Sequence, residues 1–114
     1  ERMKSDRAFK LQSLLRGRLY VALKRRAKRG SAVRLLGCTV EEAVKHLEKQ
    51  FQDGMTWENH GRTGWHIDHI LPLTLFDLTN PEQLAVACHY TNLQPLWSVD
   101  NIRKGNKVMD AHFV

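Results

Sequence analysis

Apolar residues between positions 4 and 29 fall at Leu11, Leu14, Leu15, Leu19, Val21, Ala22 and Leu23, close to the three-to-four spacing of one helix face. This predicts one helix, or two with a break near Gly17, ended by Gly30-Ser31. A short irregular stretch then leads to Gly37-Cys38. Thr39 with Glu42 fits a capping box, and Val40, Ala43, Val44, Leu47 and Phe51 carry a second helix until Asp53-Gly54. Residues 54–64, with Gly54, Gly61 and Gly64, read as a loop in which Trp57 is a core plug. At Trp65–Ile70 the pattern changes to a short aromatic and β-branched run, a strand that Pro72 ends because proline cannot donate to a ladder. Pro81 opens one or two helical turns through Ala87. Tyr90–Leu96 is a second short strand, or a turn and a strand, with Pro95 limiting its pairing, and Ser98 N-caps a helix to about Asn106. The expectation is an α+β fold, mostly helical, with two short strands followed by a helix.

The 114 residues suffice for one modest core, divided on sequence into a basic helical extension, residues 1–35, and a compact domain, residues 36–114. No apolar run approaches the roughly 20 residues of a membrane span, which argues against a membrane protein. A chain that opens on Glu1 rather than Met reads as trimmed, or as a piece of a longer protein. Charge is lopsided: residues 1–34 hold 12 Lys and Arg against 2 acids, whereas residues 35–114 hold 6 against 10. Arg16, Arg18, Lys24, Arg25, Arg26, Lys28 and Arg29 therefore suit a polyanionic partner, because neutralising phosphates releases counterions. Cys38 and Cys88 stand 50 residues apart without CxxC spacing, so neither a paired-cysteine zinc knuckle nor a disulfide framework is expected.

Asp68-His69 sets a hard carboxylate beside the side chain best able to take a proton from water at neutral pH. In that reading His69 is the general base, and Asp68 with the amide oxygen of Asn101 holds Mg²⁺, for which Mn²⁺ can substitute. Lys104 lies one helical turn beyond Asn101 and offers a point charge to a phosphate, flanked by Arg103 and Lys107. Neighbours in a regular strand face opposite ways, so the strand must end or bend at Asp68-His69 for both to serve one phosphate. His66 shares a face with Asp68 and is assigned to packing or phosphate contact. A rival reading gathers His66, His69, Cys88 and His89 around zinc, but that would consume the base.

The order Asp68-His69-Ile70-x-Pro72, then Asn92, nine residues to Asn101 and three to Lys104, resembles the HNH endonucleases of the His-Me finger (ββα-metal) superfamily, in their phage and mobile-element form. Gly54–Asn59 and His89–Trp97 are similar to that type as well, and the likeness covers roughly residues 36–107. It implies a ββα-metal core and a metal-dependent DNA endonuclease that leaves 5′-phosphate and 3′-hydroxyl ends, with Asn92 orienting His69. The chemistry points to a cytoplasmic setting in a bacterial or phage-infected cell, and cutting both strands would require a homodimer or two successive events, with action inside a larger nuclease complex left open by the missing start methionine. Many such proteins clamp the fold with CxxC zinc pairs; this sequence departs from that, so no structural zinc is expected. A catalytically inactive or zinc-stabilised DNA-binding module is the alternative, and an RNA substrate for the same fold a third.

Overall fold

A computed structural model describes residues 2–105, with side chains from Lys10 onward. Lys107 lies outside the described residues. The chain runs through α1 (Arg2–Lys24), α2 (Ser31–Leu36), α3 (Val40–Glu48), β1 (Trp65–His69), α4 (Pro81–Cys88), β2 (Leu93–Trp97) and α5 (Ser98–Lys104). Single 3-10 turns at Leu73–Leu75 and Tyr90–Asn92 precede α4 and β2. The architecture is α+β, with helices around one antiparallel pair of strands. No described helix is long and apolar enough to cross a membrane.

α1 is unbroken through Gly17 and stops at Lys24, five residues before the predicted end at Arg29. The stop is a Schellman closure, in which Ala27 N–H donates to Ala22 O at 2.9 Å and Arg26 N–H to Leu23 O at 3.3 Å. Arg26 takes the left-handed position at φ 53°, where glycine is usual. Its guanidinium compensates by donating to Leu23 O and lying 4.7 Å from the Trp57 ring centre.

The predicted irregular stretch before Gly37 is the six-residue helix α2, closed by Gly37 at φ 74°. Six residues are too few to show a period, yet Leu36 is fully buried. α3 opens on the expected reciprocal capping box between Thr39 and Glu42 but ends at Glu48. α4 begins with Pro81 at its first turn and is N-capped by Asn80. In α5, Trp97 takes the N-cap place, without a side-chain cap, and Ser98 is the first helical residue.

Leu19 and Leu23 of α1, Leu36 of α2, Val40, Ala43, Val44 and Leu47 of α3, and Leu93 of β2 form one core cluster. The face that α1 buries is not the whole predicted stripe, since Leu14 and Val21 are about half exposed. β1 pairs with β2 in the register Trp65↔Trp97 through His69↔Leu93, and Pro95 sits inside that pairing opposite Ile67. α5 packs against both strands.

Loop 54–64 is folded over Trp65. The indole is fully buried, stacks on His60 at 4.3 Å, meets Phe51 and Trp57 near 5 Å, and donates to Thr56 O at 2.6 Å. Trp57 is half-buried in this cluster and donates to Glu48, which fits its reading as a plug. Gly64 is required there: a Cβ would stand 1.7 Å from Asn59 O.

Candidate functional site

β1 ends at His69, with Asp68 and His69 both still paired in its ladder, to Gln94 and Leu93. Asp68, His69, Asn101, Lys104 and Arg16 line a single cavity of about 50 Å³, closed by Ile67, Pro72 and Gly105. Strand end, α5 and the middle of α1 thus meet where the sequence placed only the first two.

Asp68 is buried and fully partnered. Gln94, its cross-strand neighbour, donates Nε2 to Oδ2 at 2.9 Å, and Lys104 Nζ lies 3.3 Å from Oδ1. Burial pushes the Asp68 carboxyl up, opposed by the Gln94 hydrogen bond and by the charges of Lys104 and Arg16. Lys104, predicted to face phosphate, is 3% exposed and donates its remaining reach to His69 O at 3.0 Å. Its ammonium holds the carboxylate from inside the fold.

His69 is also buried, and its pKa is pushed down to about 4, first by desolvation and then by Arg16 and Lys104. The ring is neutral at pH 7 and free to accept a proton. Desolvation is the first of these causes, so an anion that offset the charges of Arg16 and Lys104 would relieve only the lesser part of the depression.

Asn92 does not bond the His69 ring. Its Oδ1 accepts from Leu71 N at 2.8 Å, while Nδ2 donates to Leu71 O at 3.1 Å and Ala87 O at 2.9 Å. The Asn92 carbonyl accepts from Ile70 N at 2.8 Å. Asn92 therefore clamps the two residues that follow His69 and acts on the site through backbone.

His66 takes a role the sequence did not show. Its Nε2 faces the Arg62 carbonyl at 2.9 Å, and a carbonyl can only accept, so Nε2 carries the proton. Nδ1 must then accept, and Asn101 Nδ2 donates to it at 2.8 Å. With Nδ2 on His66, Oδ1 is the Asn101 amide atom left for another partner. A carboxylate, a free amide oxygen and space for water are hard oxygen donors of the type Mg²⁺ takes, and Lys104 already marks the place as one that stabilises a cation. Both Asp68 oxygens are taken in this structure, Oδ1 by Lys104 and Oδ2 by Gln94, so an ion at Asp68 and Asn101 would have to displace one of them.

The zinc constellation is not assembled. His66 is committed as above, and His89 Nδ1 pairs with Thr91 Oγ1 at 2.8 Å while its ring covers Gly37. Among the described residues no three His, Cys, Asp or Glu side chains stand together as a metal-holding group.

Arg16, Arg18, Lys24, Arg25, Arg26, Lys28, Arg29 and Arg103 are all exposed. Lys24 and Arg26 are partly occupied, Lys24 by His60 O at 3.0 Å and Arg26 by Trp57. Sequence reasoning missed Gln94, whose place opposite Asp68 follows only from the strand register. It also missed a larger cavity beside the site, of about 430 Å³, which Tyr20, His60 and Arg62 help to line. Nothing local in the sequence marks those residues.

The chain is 33% identical over 108 residues to the uncharacterized protein L426 of Acanthamoeba polyphaga mimivirus, covering 95% of this chain and 47% of that protein. It is 35% identical over 121 residues to the uncharacterized protein L246 of the same virus, covering 96% of this chain and 53% of that protein. It thus spans about half the length of the curated relatives it matches. No family model and no solved structure matches it.

Proposed function

We propose that the chain is a metal-dependent DNA endonuclease of the HNH type, hydrolysing phosphodiester bonds with His69 as general base. The observation that carries this reading is the convergence of Asp68, His69, Asn101, Lys104 and Arg16 on one cavity. An antiparallel β1–β2 pair followed by α5, packed on both strands, supports a ββα-metal core.

In the reaction a water oxygen attacks phosphorus, the 3′ oxygen leaves, and His69 takes the proton that the water gives up. Asn92 keeps the chain after His69 in place, and His66 keeps the Asn101 oxygen presented. Arg16 neutralises phosphate charge, while Lys104 holds the Asp68 carboxylate from inside the fold. Asp68 and Asn101 would hold Mg²⁺, or Mn²⁺ in its place, and the ion would supply charge neutralisation to the reacting phosphate. The exposed cations of α1 and of the segment after it grip flanking phosphates, with affinity falling steeply as salt rises.

Supercoiled plasmid incubated with Mg²⁺, Mn²⁺ or EDTA tests the reading. Metal-dependent nicking that falls about 10²-fold or more in His69→Ala and vanishes in Asp68→Ala is the expected result. Full cleavage by His69→Ala would sink the mechanism.

One observation favours a second reading, a DNA-binding domain in which the same residues are structural. Asp68, Lys104 and Asn92 are each satisfied within the fold, as purely structural polar groups are. Salt-dependent binding without cleavage under every metal condition would decide for it.

A further inference from the structure

The larger cavity lies against the cleavage site and is of different character. It holds about 430 Å³, inside the range of roughly 300–1,000 Å³ in which proteins enclose small ligands. Leu19, Tyr20, Trp65 and Ile67 make its lining mainly apolar, and Arg16 and Arg62 bring two guanidiniums to it. Arg16, Ile67, His69 and Asn101 belong to both cavities, so a ligand in the larger one reaches residues of the smaller.

Its aromatic wall is built rather than incidental. Tyr20 stands 4.8 Å from His60, His60 stacks on Trp65 at 4.3 Å, and the Lys24 ammonium lies 5.6 Å from the Tyr20 ring centre. His60 is 3% exposed and its Nδ1 has no hydrogen-bond partner, a cost that phenylalanine would avoid at the same place. Tyr20 is the exposed member of the set, about two-fifths open on α1. Phosphate does not belong in an apolar chamber, and a stacked base pair cannot enter one. A single base, out of its stack, presents a π-face to Tyr20, the open ring of the aromatic wall, and leaves its own phosphate to the guanidiniums.

We propose that this cavity receives one unstacked nucleobase of the strand whose phosphate lies at Asp68 and Asn101. The proposal rests on the nuclease reading and deepens it: the preferred substrate is single-stranded or locally unpaired DNA at the cut, rather than regular duplex. Tyr20 is the residue the incoming base meets first.

The test uses the full chain in EDTA, where nothing is cut, with short end-labelled oligonucleotides carrying 2-aminopurine at successive positions, single-stranded or in duplex. Anisotropy reports binding, and 2-aminopurine emission reports stacking. Emission should change at one position, and Tyr20→Leu should remove that response and weaken single-strand binding about tenfold. An abasic residue at the responding position should make wild type and Tyr20→Leu bind alike. Arg25→Gln should weaken binding without altering the emission response. Circular dichroism confirms that both variants fold. If anisotropy shows binding while every probe position is silent, the base pocket is overturned and the nuclease reading stands. If no oligonucleotide binds at all, both fall.

Discussion

At Trp65, β1 buries an indole among Phe51, Trp57 and His60; three residues later the same strand buries a carboxylate beside an ammonium and then a neutral imidazole. Both ends are buried, the first dry and apolar and the second lined with polar groups beside a small cavity, so burial acts on them in opposite senses. At the first end each apolar contact adds stability, and at the second each charge is a liability that only its partner offsets. A fold of this size that places a carboxylate and an ammonium inside the described sheet must draw its stability from apolar burial elsewhere, in the helical core cluster and around Trp65.

The largest expected effect tests the dry end. Trp65→Ala removes the centre of the aromatic cluster and should cost about 3–5 kcal/mol in urea unfolding, enough to leave the domain largely unfolded at 37 °C. A loss below about 1 kcal/mol would show that loop 54–64 contributes little to the fold.

The wet end should give a different pattern. Lys104→Met strands the Asp68 carboxylate, and the expected cost is about 3 kcal/mol. It stays at the low end of the range because Gln94 remains and because the raised pKa lets Asp68 protonate. Adding Asp68→Leu should restore most of that loss, since a buried ion pair replaced whole by apolar groups is often neutral. If the double variant were no more stable than Lys104→Met, the pair would be a net source of stability and the contrast along β1 would fail.

Which of these features the sequence disclosed follows from the range over which each acts. The Thr39 capping box, Pro81 at the start of α4 and the strand at Trp65 are local patterns, and each appears where its residues predict it. A break between Asp68 and His69 was expected, but both stay paired in the ladder, and β1 stops one residue before Ile70. α2 was not, being too short to show a period, and neither was the true buried face of α1, which is chosen by what packs against it. The partners at the site are long-range facts. Lys104 turns inward to Asp68 rather than out to a phosphate, Asn92 holds Leu71 rather than the His69 ring, and Arg16 arrives from a helix some fifty residues away. Only the tertiary fold brings these pairs together.

A smaller effect sharpens the contrast within the wet end itself. His66 spends one nitrogen on Arg62 O and the other on Asn101, so its removal frees the Asn101 amide to rotate without unpairing a charge. His66→Ala should weaken Mn²⁺ binding, measured by calorimetry without DNA, by about tenfold or more. Thermal stability and DNA affinity in EDTA should stay near wild type. Unchanged Mn²⁺ affinity would reduce His66 to a packing residue.

The smallest effect lies at the boundary between the two ends, where His60 is a titratable ring inside the aromatic cluster. Burial, then the charges of Lys24, His66 and Arg26, push its pKa down to about 4, against about 6.5 in an unfolded chain. Between those values the unfolded state holds the extra proton, so stability is fully present above about pH 6.5 and declines as pH falls toward 4. The loss through this window should be about 1–3 kcal/mol, with His69 contributing in the same sense. His60→Phe keeps an aromatic ring on Trp65 and cannot protonate, so the difference between its pH profile of stability and that of wild type isolates His60. A flatter profile in the variant, with equal or greater stability at pH 5, places the ring with the dry end of β1. Identical slopes would mean that His60 reaches water when it titrates and that the cavity beside it is wetter than its lining indicates.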